Sequence, residues 1–255
     1  MTDLLDATAI RAALPQTLRG CDIRVFQTLD STNSYALRLL AEGAESGTAI
    51  LAEAQTAGRG RLGRSFYSPA GSGLYMSIVL RPRLEDAGDV QLVTVAAAVA
   101  VCHALDALRP DARPQIKWVN DIFIGGKKAC GILAEAVAAG SGIDGVVAGI
   151  GVNCTTGAFP PELRDIACTV GDVSRNMLAA RIIAELSAFA ENLRAPELIG
   201  EYRRRSYTLG RRIVFERDGT SVYAIAEGIN DNGNLMVREP DGVLTVLRSG
   251  EASLI

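Results

Sequence analysis

The sequence predicts an α+β protein that ends in a small β-barrel. Up to residue 206, apolar strand-like runs alternate with helical segments and are joined by glycine-rich turns. After Tyr207, short strands broken by Asp-Gly and Asn-Gly pairs replace the helical pattern for about fifty residues, which suits a small barrel. We therefore expect two domains, residues 1–206 and 207–255.

The first part of the chain alternates between helix and strand. Residues 4–18 have the pattern of a short amphipathic helix, and "DIRVFQTL" is typical of a strand. "STNSYALRLLAEG" predicts a helix that begins at Ser31 or Thr32, because both are good N-cap residues, and that ends at Gly43.

Further strands and helices follow in the middle of the chain. "TAILAEAQ" and "GLYMSIVLRP" predict strands, and residues 88–108 predict a long helix closed by Pro110. "QIKWV", "DIFIGG", "KKACGILAEAV" and "DGVVAGIGVNC" predict a run of strands joined by glycine turns. Residues 174–206 are helical again, with an interruption near Pro196.

The composition is that of an ordinary enzyme domain. Hydrophobic residues make up 48% and charged residues 22% of the 255 positions, and the net charge is -3, so a general polyanion-binding surface is not expected. The apolar runs fall short of the roughly 18–20 residues that a membrane span needs. The N-terminus lacks the basic segment of a secretory signal. We therefore expect a cytoplasmic protein without membrane contact.

The sequence contains five cysteines and one histidine. The cysteines are scattered and form no C-x-x-C pair, which favours reduced, mostly buried thiols. His103 lies in an alanine-rich helical stretch, and we expect it to pack against its neighbours. A single histidine argues against a Ser-His-Asp triad and against a histidine-rich zinc site.

A glycine- and arginine-rich segment, "QTAGRGRLGR", follows one of the predicted strands. It matches both the dinucleotide fingerprint G-x-G-x-x-G and a variant of the P-loop, but each of those motifs must open a helix. Here Pro69, Gly71 and Gly73 follow and forbid a regular helix. The remaining interpretation is a flexible loop in which glycines allow close backbone approach and arginines bind phosphate or carboxylate groups. A solvated surface loop is the alternative.

Other polar stretches allow both a structural and a functional interpretation. "DSTNSY" is typical of a helix cap, "IKWVND" of a strand and turn, "GGKKACGIL" of a hairpin and "GIGVNC" of a strand end. Taken together and in this order, however, the motifs from Asp30 to Asn153 resemble the biotin–protein ligase family. The resemblance continues more weakly through "GINDNGNL" and "GEASL". It implies a class II synthetase-like mixed β-sheet flanked by helices, followed by an SH3-like β-barrel.

The resemblance implies a two-step reaction. The carboxylate of biotin attacks the α-phosphorus of ATP to give biotinyl-5′-AMP and pyrophosphate, and a lysine of a biotin carboxyl carrier domain, as in acetyl-CoA carboxylase, then displaces AMP. Two anions must approach each other, so cations are needed in the site. The side chains expected to supply catalytic charge are Arg59, Arg61, Lys117 and Lys128.

The family's binding residues also carry over to this sequence. Those implied for biotin are Ser31, Thr32, Asn33, Gln55, Gly58, Arg59, Gly60, Arg61, Lys128 and Gly131. Those implied for ATP or the adenylate are Arg61, Arg64, Phe66, Lys117, Asn120, Asp121 and Asn153. Magnesium is expected to bridge the phosphates without a protein cage, with Asp121 as a carboxylate that could reach it.

Two positions depart from the family pattern. Phe66 stands where the family commonly has Trp, and Val119 stands where it commonly has Pro, which could loosen the turn that presents Asn120. Only about thirty residues precede "STNSYA", too few for a DNA-binding helix-turn-helix. We therefore expect a monofunctional ligase that binds no DNA, and a homodimer is an open possibility.

Two other functions stay open at this point. One is a lipoate or octanoate ligase or transferase of related fold. The other is a non-catalytic anion-binding module with a β-barrel, which would leave Lys117, Lys128 and the order of the motifs unexplained.

Overall fold

The structure is a computed structural model that describes residues 3–84, 87–139, 142–155, 159–248, 250 and 252–255. Its larger sheet is built from β1 (Ile23–Leu29), β2 (Ala49–Gln55), β3 (Gly73–Leu80), β4 (Gln115–Lys117), β5 (Asp121–Ile124), β6 (Lys127–Ala139) and β7 (Gly142–Asn153). The strand order is β1-β2-β3-β7-β6-β5-β4. β1 and β2 pair in parallel and the other neighbours are antiparallel, which confirms the mixed sheet.

Helices cover both faces of this sheet. They are α1 (Ala7–Ala13), α2 (Thr32–Ala41), α3 (Val90–Leu108), α4 (Arg175–Glu191) and α5 (Pro196–Arg204). α3 and α4 pack with Leu51 of β2 in the main core, whereas α2 packs on Ile50 in a smaller cluster. Because adjacent residues of a strand point to opposite faces, α2 lies on one side of the sheet and α3 on the other.

The long helix α3 accounts for the apolar composition of the middle of the chain. Its 19 residues are long and apolar enough to span a membrane by length and hydropathy alone, so the expectation that apolar runs fall short of that length was wrong. Most of its side chains are buried against the sheet and α4. Burial on nearly every side explains the composition, since a core helix needs no polar face.

The N-terminal helix is shorter than expected. The sequence predicts a helix over residues 4–18, but α1 ends at Ala13 and a separate 3-10 turn follows at Gln16–Leu18. Pro15 explains the break, because the residue before proline disfavours the α conformation and Leu14 is extended. The expected interruption near Pro196 is confirmed, since α5 begins at that residue.

A smaller antiparallel sheet forms the C-terminal unit. Its strands are β8 (Arg212–Arg217), β9 (Thr220–Ile229), β10 (Leu235–Arg238), β11 (Leu244–Leu247) and β12 (Ser253–Leu254), in the order β11-β10-β9-β8-β12. Trp118, just after β4, anchors this unit: its indole donates to Gly233 O at 2.9 Å, and its backbone N–H donates to the Thr208 hydroxyl at 2.9 Å. The sheet therefore lies beside the end of β4.

Candidate active site

A narrow cavity opens where the N-terminus of α2 meets the centre of the large sheet. Residues that lie far apart in sequence converge there because β2, β6 and β7 end or pass beside the start of α2. The predicted site residues that line it are Ser31, Thr32, Asn33, Gln55, Arg59, Gly60, Arg61, Phe66, Asn120, Lys128 and Gly131. The structure thus brings together motifs that the sequence separates by up to a hundred residues.

The floor of this cavity is a hydrogen-bonded group of small polar side chains. The Ser31 hydroxyl caps α2 by accepting from Ser34 N–H at 3.4 Å. The Thr32 N–H and hydroxyl both donate to Gln55 Oε1, at 2.8 and 3.1 Å, and Gln55 Nε2 donates to the Ser68 hydroxyl at 2.9 Å. Ser31 is therefore a helix cap and a cavity-lining residue at once.

Asn33 is held by protein partners at both ends of its amide. Nδ2 donates to Leu133 O at 3.2 Å and to Glu135 Oε2 at 2.9 Å, and Oδ1 accepts from the buried Ser77 hydroxyl at 2.6 Å. The side chain of Asn33 is 4% exposed. Its amide thus has a fixed orientation set by neighbouring strands.

The glycine/arginine segment, residues 56–66, folds back on itself beside the cavity. Phe66 N–H donates to Gly58 O at 2.9 Å, and Gly60 N–H donates to Arg64 O at 2.7 Å. A side chain at position 58 would meet Phe66 O at 2.5 Å, so the close approach of the two arms requires glycine there. This explains Gly58 as a packing position underneath the cavity rather than as a lining residue.

The two arginines of this segment reach in different directions. Arg59 Nη2 forms an ion pair with Glu135 Oε1 at 2.7 Å. Arg61 donates to Asn120 Oδ1 at 3.0 Å and to Gly250 O of the C-terminal unit at 3.2 Å. The segment is thereby tied to β6 on one side and, through Gly250, to the connection between β11 and β12 on the other.

Asn120 does not sit on a loose turn, despite Val119 in place of the family's proline. Val119 is 4% exposed, and its carbonyl accepts from the Tyr202 hydroxyl at 2.8 Å. Asn120 Nδ2 donates to Ile132 O at 2.9 Å while its Oδ1 accepts from Arg61. These contacts fix the position of the amide.

Lys128 lies between the first cavity and a second, larger one. Its Nζ is 2.8 Å from Asp121 Oδ1; that oxygen makes no hydrogen bond of good geometry within the described part of the chain, so the contact is an ion pair. The predicted site residues that line the second cavity are Arg64, Phe66, Lys117, Asp121, Lys128 and Asn153. Phe66 and Lys128 line both cavities, which therefore meet at these side chains.

The Phe66 ring forms the wall between the two cavities. It packs over Gly131 and Gly151, where a Cβ would lie 3.3 and 2.6 Å from ring atoms, and meets the Tyr75 ring edge-on at 6.3 Å. Burial raises the pKa of the Tyr75 phenol to about 12. The volumes are about 50 Å³ for the first cavity and about 420 Å³ for the second, so the first is much the narrower of the two.

The remaining predicted residues lie around the second cavity. Lys117 Nζ lies 5.6 Å from the centre of the Phe123 ring, a cation–π distance. Asn153 Nδ2 donates to Cys168 O at 3.2 Å and so connects the end of β7 to the segment after it. Neither Lys117 nor Asn153 lines the first cavity. The residues predicted to bind ATP are therefore divided between the two cavities.

Several residues of this region were not singled out from the sequence. Glu135 partners Arg59 and Asn33, Ser77 supports Asn33, and Gly149 and Gly151 leave room for Asn33 and Phe66. Two signals were present: a carboxylate within the apolar strand β6, and glycines two residues apart, which share one face of a strand.

The thiols and the histidine take no part in either cavity wall. The five cysteines are free, and Cys102, Cys130 and Cys154 are buried, which confirms the expectation that most of the thiols are buried. His103 is partly exposed on α3, with Nδ1 3.0 Å from Glu185 Oε2 and its ring 5.9 Å from Phe189. Among the described residues, no group of three His, Cys, Asp or Glu side chains could hold a metal ion.

Comparisons with known proteins identify the family. A model described as "Biotin/lipoate A/B protein ligase family" matches residues 25–153, and one described as "Biotin protein ligase C terminal domain" matches residues 208–255. The chain belongs to the biotin protein ligase family. The resemblance read from the motifs is thereby confirmed, as are the ligase class and the fold. The "GEASL" motif includes residue 251, which lies outside the described residues.

Individual relatives agree over most of the chain. The "Biotin--[acetyl-CoA-carboxylase] ligase" of Paracoccus denitrificans is 35% identical over 225 residues, covering 84% of this chain and 92% of the relative. The "Bifunctional ligase/repressor BirA" of Bacillus subtilis is 34% identical over 250 residues, covering 94% of this chain and 76% of the relative. The structure of the Aquifex aeolicus biotin protein ligase with biotin and ATP aligns with a TM-score of 0.74 at 27% identity, covering 92% and 98% of the two chains.

Proposed function

We propose that this ligase activates biotin with ATP to biotinyl-5′-AMP and transfers biotin to a lysine of a biotin carboxyl carrier domain. The observation that carries the proposal is the meeting of the two cavities at Lys128 and Phe66. One cavity has a polar floor suited to a small cyclic urea, and the other is larger and bordered by cations. A ligand in each would place their anionic groups together at Lys128.

In the first step, an oxygen of the biotin carboxylate attacks the α-phosphorus of ATP, and the bond from that phosphorus to the pyrophosphate oxygen breaks. Both reactants are anions, so their approach is favoured by a fixed cation between them. Lys128 would serve in this position. Its ammonium group would leave Asp121 and contact the carboxylate and α-phosphate oxygens instead. Because the ion pair with Asp121 already keeps Nζ where the two cavities meet, the ammonium group would have only to exchange partners.

The arginines of the loop would neutralise the remaining negative charge of the biotin carboxylate and the phosphates. Arg59 has five N–H donors, so it can keep its contact to Glu135 while presenting further donors to the biotin carboxylate. Arg61 would hold the adenylate phosphate, and Arg64 and Lys117 would bind the phosphates in the second cavity. Asn120 and Asn153 would border the nucleotide. The closed loop would also exclude water from the acyl phosphate.

The polar floor would recognise the ring of biotin. Ser31, Thr32 and Gln55 supply hydroxyl and amide groups that can match the N–H and C=O groups of a ureido ring. Asn33 would act by supporting them, since its amide is engaged by β3 and β6. Gly60 and Gly131 would allow the ligand to lie against the backbone.

In the second step, the neutral amine of the acceptor lysine attacks the acyl carbon, the bond to the AMP oxygen breaks, and the amine loses a proton. A carboxylase carrier domain is the proposed acceptor, as the names of the relatives suggest for those proteins. Magnesium would be carried by the phosphates of ATP. Asp121 fits magnesium as a single carboxylate near the cationic side chains that would bind the phosphates, since Mg²⁺ in such sites commonly takes one or two protein carboxylates.

We further propose a division of the chain near residue 207 and a cytoplasmic location. The small sheet would steady the closed loop through Arg61 and Gly250. A homodimer is compatible with these assignments.

Pyrophosphate exchange into ATP tests the proposed activity. Exchange that depends on biotin supports it, exchange that depends on lipoate or octanoate supports the related acyl ligases, and no exchange with any of them supports a binding module. Transfer of labelled biotin to a purified carrier domain would then test the second step.

A further inference from the structure

Glu135 occupies a connecting position that the reaction scheme above does not use. It lies in the middle of β6 with its side chain about one quarter exposed, at 23%. One carboxylate oxygen accepts from Arg59 of the loop at 2.7 Å, and the other accepts from Asn33 at the start of α2 at 2.9 Å. The loop and the cavity floor are thus attached to the same carboxylate.

The contact to Asn33 continues into the floor of the first cavity. With Nδ2 bound to Glu135 and Leu133 O, the Asn33 oxygen faces the Ser77 hydroxyl, which is also 2.8 Å from the Thr32 hydroxyl. Gly149 makes room for this amide, because the oxygen lies 1.9 Å from where a Cβ would be. Glu135 and Leu133 O, both of them acceptors, therefore fix which end of the Asn33 amide faces the floor.

Glu135 also restrains the arginine loop, through its contact to Arg59. Arg59 is an exposed loop arginine, with 42% of its side chain accessible, and a carboxylate on a rigid strand restricts where its guanidinium can lie. A charge-assisted pair of this length is stronger than a neutral hydrogen bond. It favours the loop position in which residues 56–66 cover the first cavity.

We propose that Glu135 is a positioning residue that holds the arginine loop closed over the first cavity and, by the same carboxylate, orients the floor beneath it. This inference rests on the proposed function, since the first cavity is taken to be the biotin site. Glu135 touches no reacting atom in this scheme. Its loss should therefore weaken biotin retention without removing the cation at which the phosphates react.

Glu135→Gln tests the proposal, because it keeps the shape but removes the charge. We expect the KM for biotin in pyrophosphate exchange to rise about tenfold, because the loss of one hydrogen bond to a charged group changes a binding constant by roughly a factor of ten. The KM for ATP and the kcat should change less than about twofold on the same scale. Glu135→Asp, which keeps the charge, should recover part of the biotin KM.

Cleavage of the loop by trypsin gives a second readout that needs no substrate. Glu135→Gln should increase the rate of cleavage after Arg61 and Arg64. Ser77→Ala, which leaves the Arg59 contact intact, should raise the KM for biotin but leave the cleavage rate unchanged. Glu227→Gln is the matched control, because Glu227 also pairs with an arginine, Arg238 at 2.7 Å, but on the C-terminal sheet.

Each of three results for Glu135→Gln would overturn the proposal. They are an unchanged KM for biotin, a tenfold fall in kcat in place of the rise in the KM for biotin, and an unchanged rate of cleavage by trypsin. Thermal unfolding of each variant identifies any that fails to fold, and Glu135→Asp then carries the comparison. If the wild type itself shows no biotin-dependent exchange, the proposed function fails, while the cleavage rates still decide whether Glu135 closes the loop.

Discussion

A methyl group on Gly149 would lie 1.9 Å from the Asn33 side-chain oxygen. Gly149 is in the middle of β7, and Asn33 is in the first turn of α2. The bare backbone at position 149 is therefore what allows the start of α2 to approach the sheet closely. The polar floor of the first cavity exists because of this approach.

Gly149→Ala should displace Asn33 and weaken biotin binding. Overpacking of this kind typically costs about 1–3 kcal/mol, so we expect a comparable loss in the free energy of unfolding. We also expect the dissociation constant for biotin to be at least tenfold larger. Urea unfolding and calorimetric titration with biotin measure the two effects. Gly142→Ala, on the same strand with nothing within 4 Å of the added Cβ, should show neither; wild-type biotin affinity in Gly149→Ala would contradict the packing role.

Lys128→Ala should suppress the formation of the adenylate. A preorganised charged donor contributes about 2–4 kcal/mol to transition-state stabilisation, so the rate of pyrophosphate exchange should fall by the corresponding factor. The neighbouring Lys127 donates to Arg164 O at 3.0 Å and lines neither cavity, and Lys127→Ala is the matched control. A near-normal first step in Lys128→Ala would remove this residue from the mechanism.

Arg61→Ala should release the adenylate more readily into solution. Arg61 links the loop to Asn120 and to Gly250 O, so its loss removes both ties together with a phosphate-binding cation. We expect more free biotinyl-5′-AMP per biotin transferred, measured by chromatography in the absence and presence of acceptor. Arg217→Ala removes an exposed arginine of the C-terminal sheet and should leave this ratio unchanged. Unchanged leakage in Arg61→Ala would exclude a retaining role.

The elements of the fold could be predicted well from local patterns. The cap at Ser31, the break at Pro196 and the glycine turn between β5 and β6 depend on a few adjacent residues whose conformational preferences are strong. The helix predicted over residues 4–18 is shorter than its amphipathic spacing indicates, because Pro15 disfavours the α conformation at Leu14.

The candidate site was predictable as a set of motifs but not as a geometry. Nothing in the sequence reveals that Arg59 and Asn33 share Glu135, because the partner lies 76 and 102 positions away. The same holds for the separation of the nucleotide residues between two cavities, which depends on where the Phe66 ring packs. Long-range pairing of charges requires the strand register, and a single sequence does not contain it explicitly.

A buried ion pair ties the N-terminal segment to the sheet. Arg175 is 3% exposed and lies 2.8 Å from Glu53 Oε2 and 3.1 Å from Asp3 Oδ1. Removing one partner of a buried pair typically costs about 3–5 kcal/mol because the other charge remains uncompensated. We expect Arg175→Met to lose about that much stability in urea unfolding.

The double variant Arg175→Met/Glu53→Leu should recover much of that loss, since it removes the two buried charges and leaves only Asp3, whose side chain is 35% exposed. Arg217→Met breaks an exposed pair with Glu239 and should cost at most about 1 kcal/mol. Equal losses in Arg175→Met and the double variant would show that the charge left on Glu53 is not the cause.

Buried thiols should make the protein less stable in alkali. Burial raises the pKa of the Cys102 and Cys154 thiols from 9.0 to about 12, so the folded chain keeps these thiols neutral where the unfolded chain ionises them. Their contribution is therefore complete below pH 9 and is lost between pH 9 and 12, by up to about 1.4 kcal/mol per pH unit for each thiol. Urea unfolding at pH 8, 9.5 and 10.5 measures this slope. Replacing both cysteines by alanine should flatten it, whereas parallel slopes in the two proteins would assign the alkaline loss to other groups.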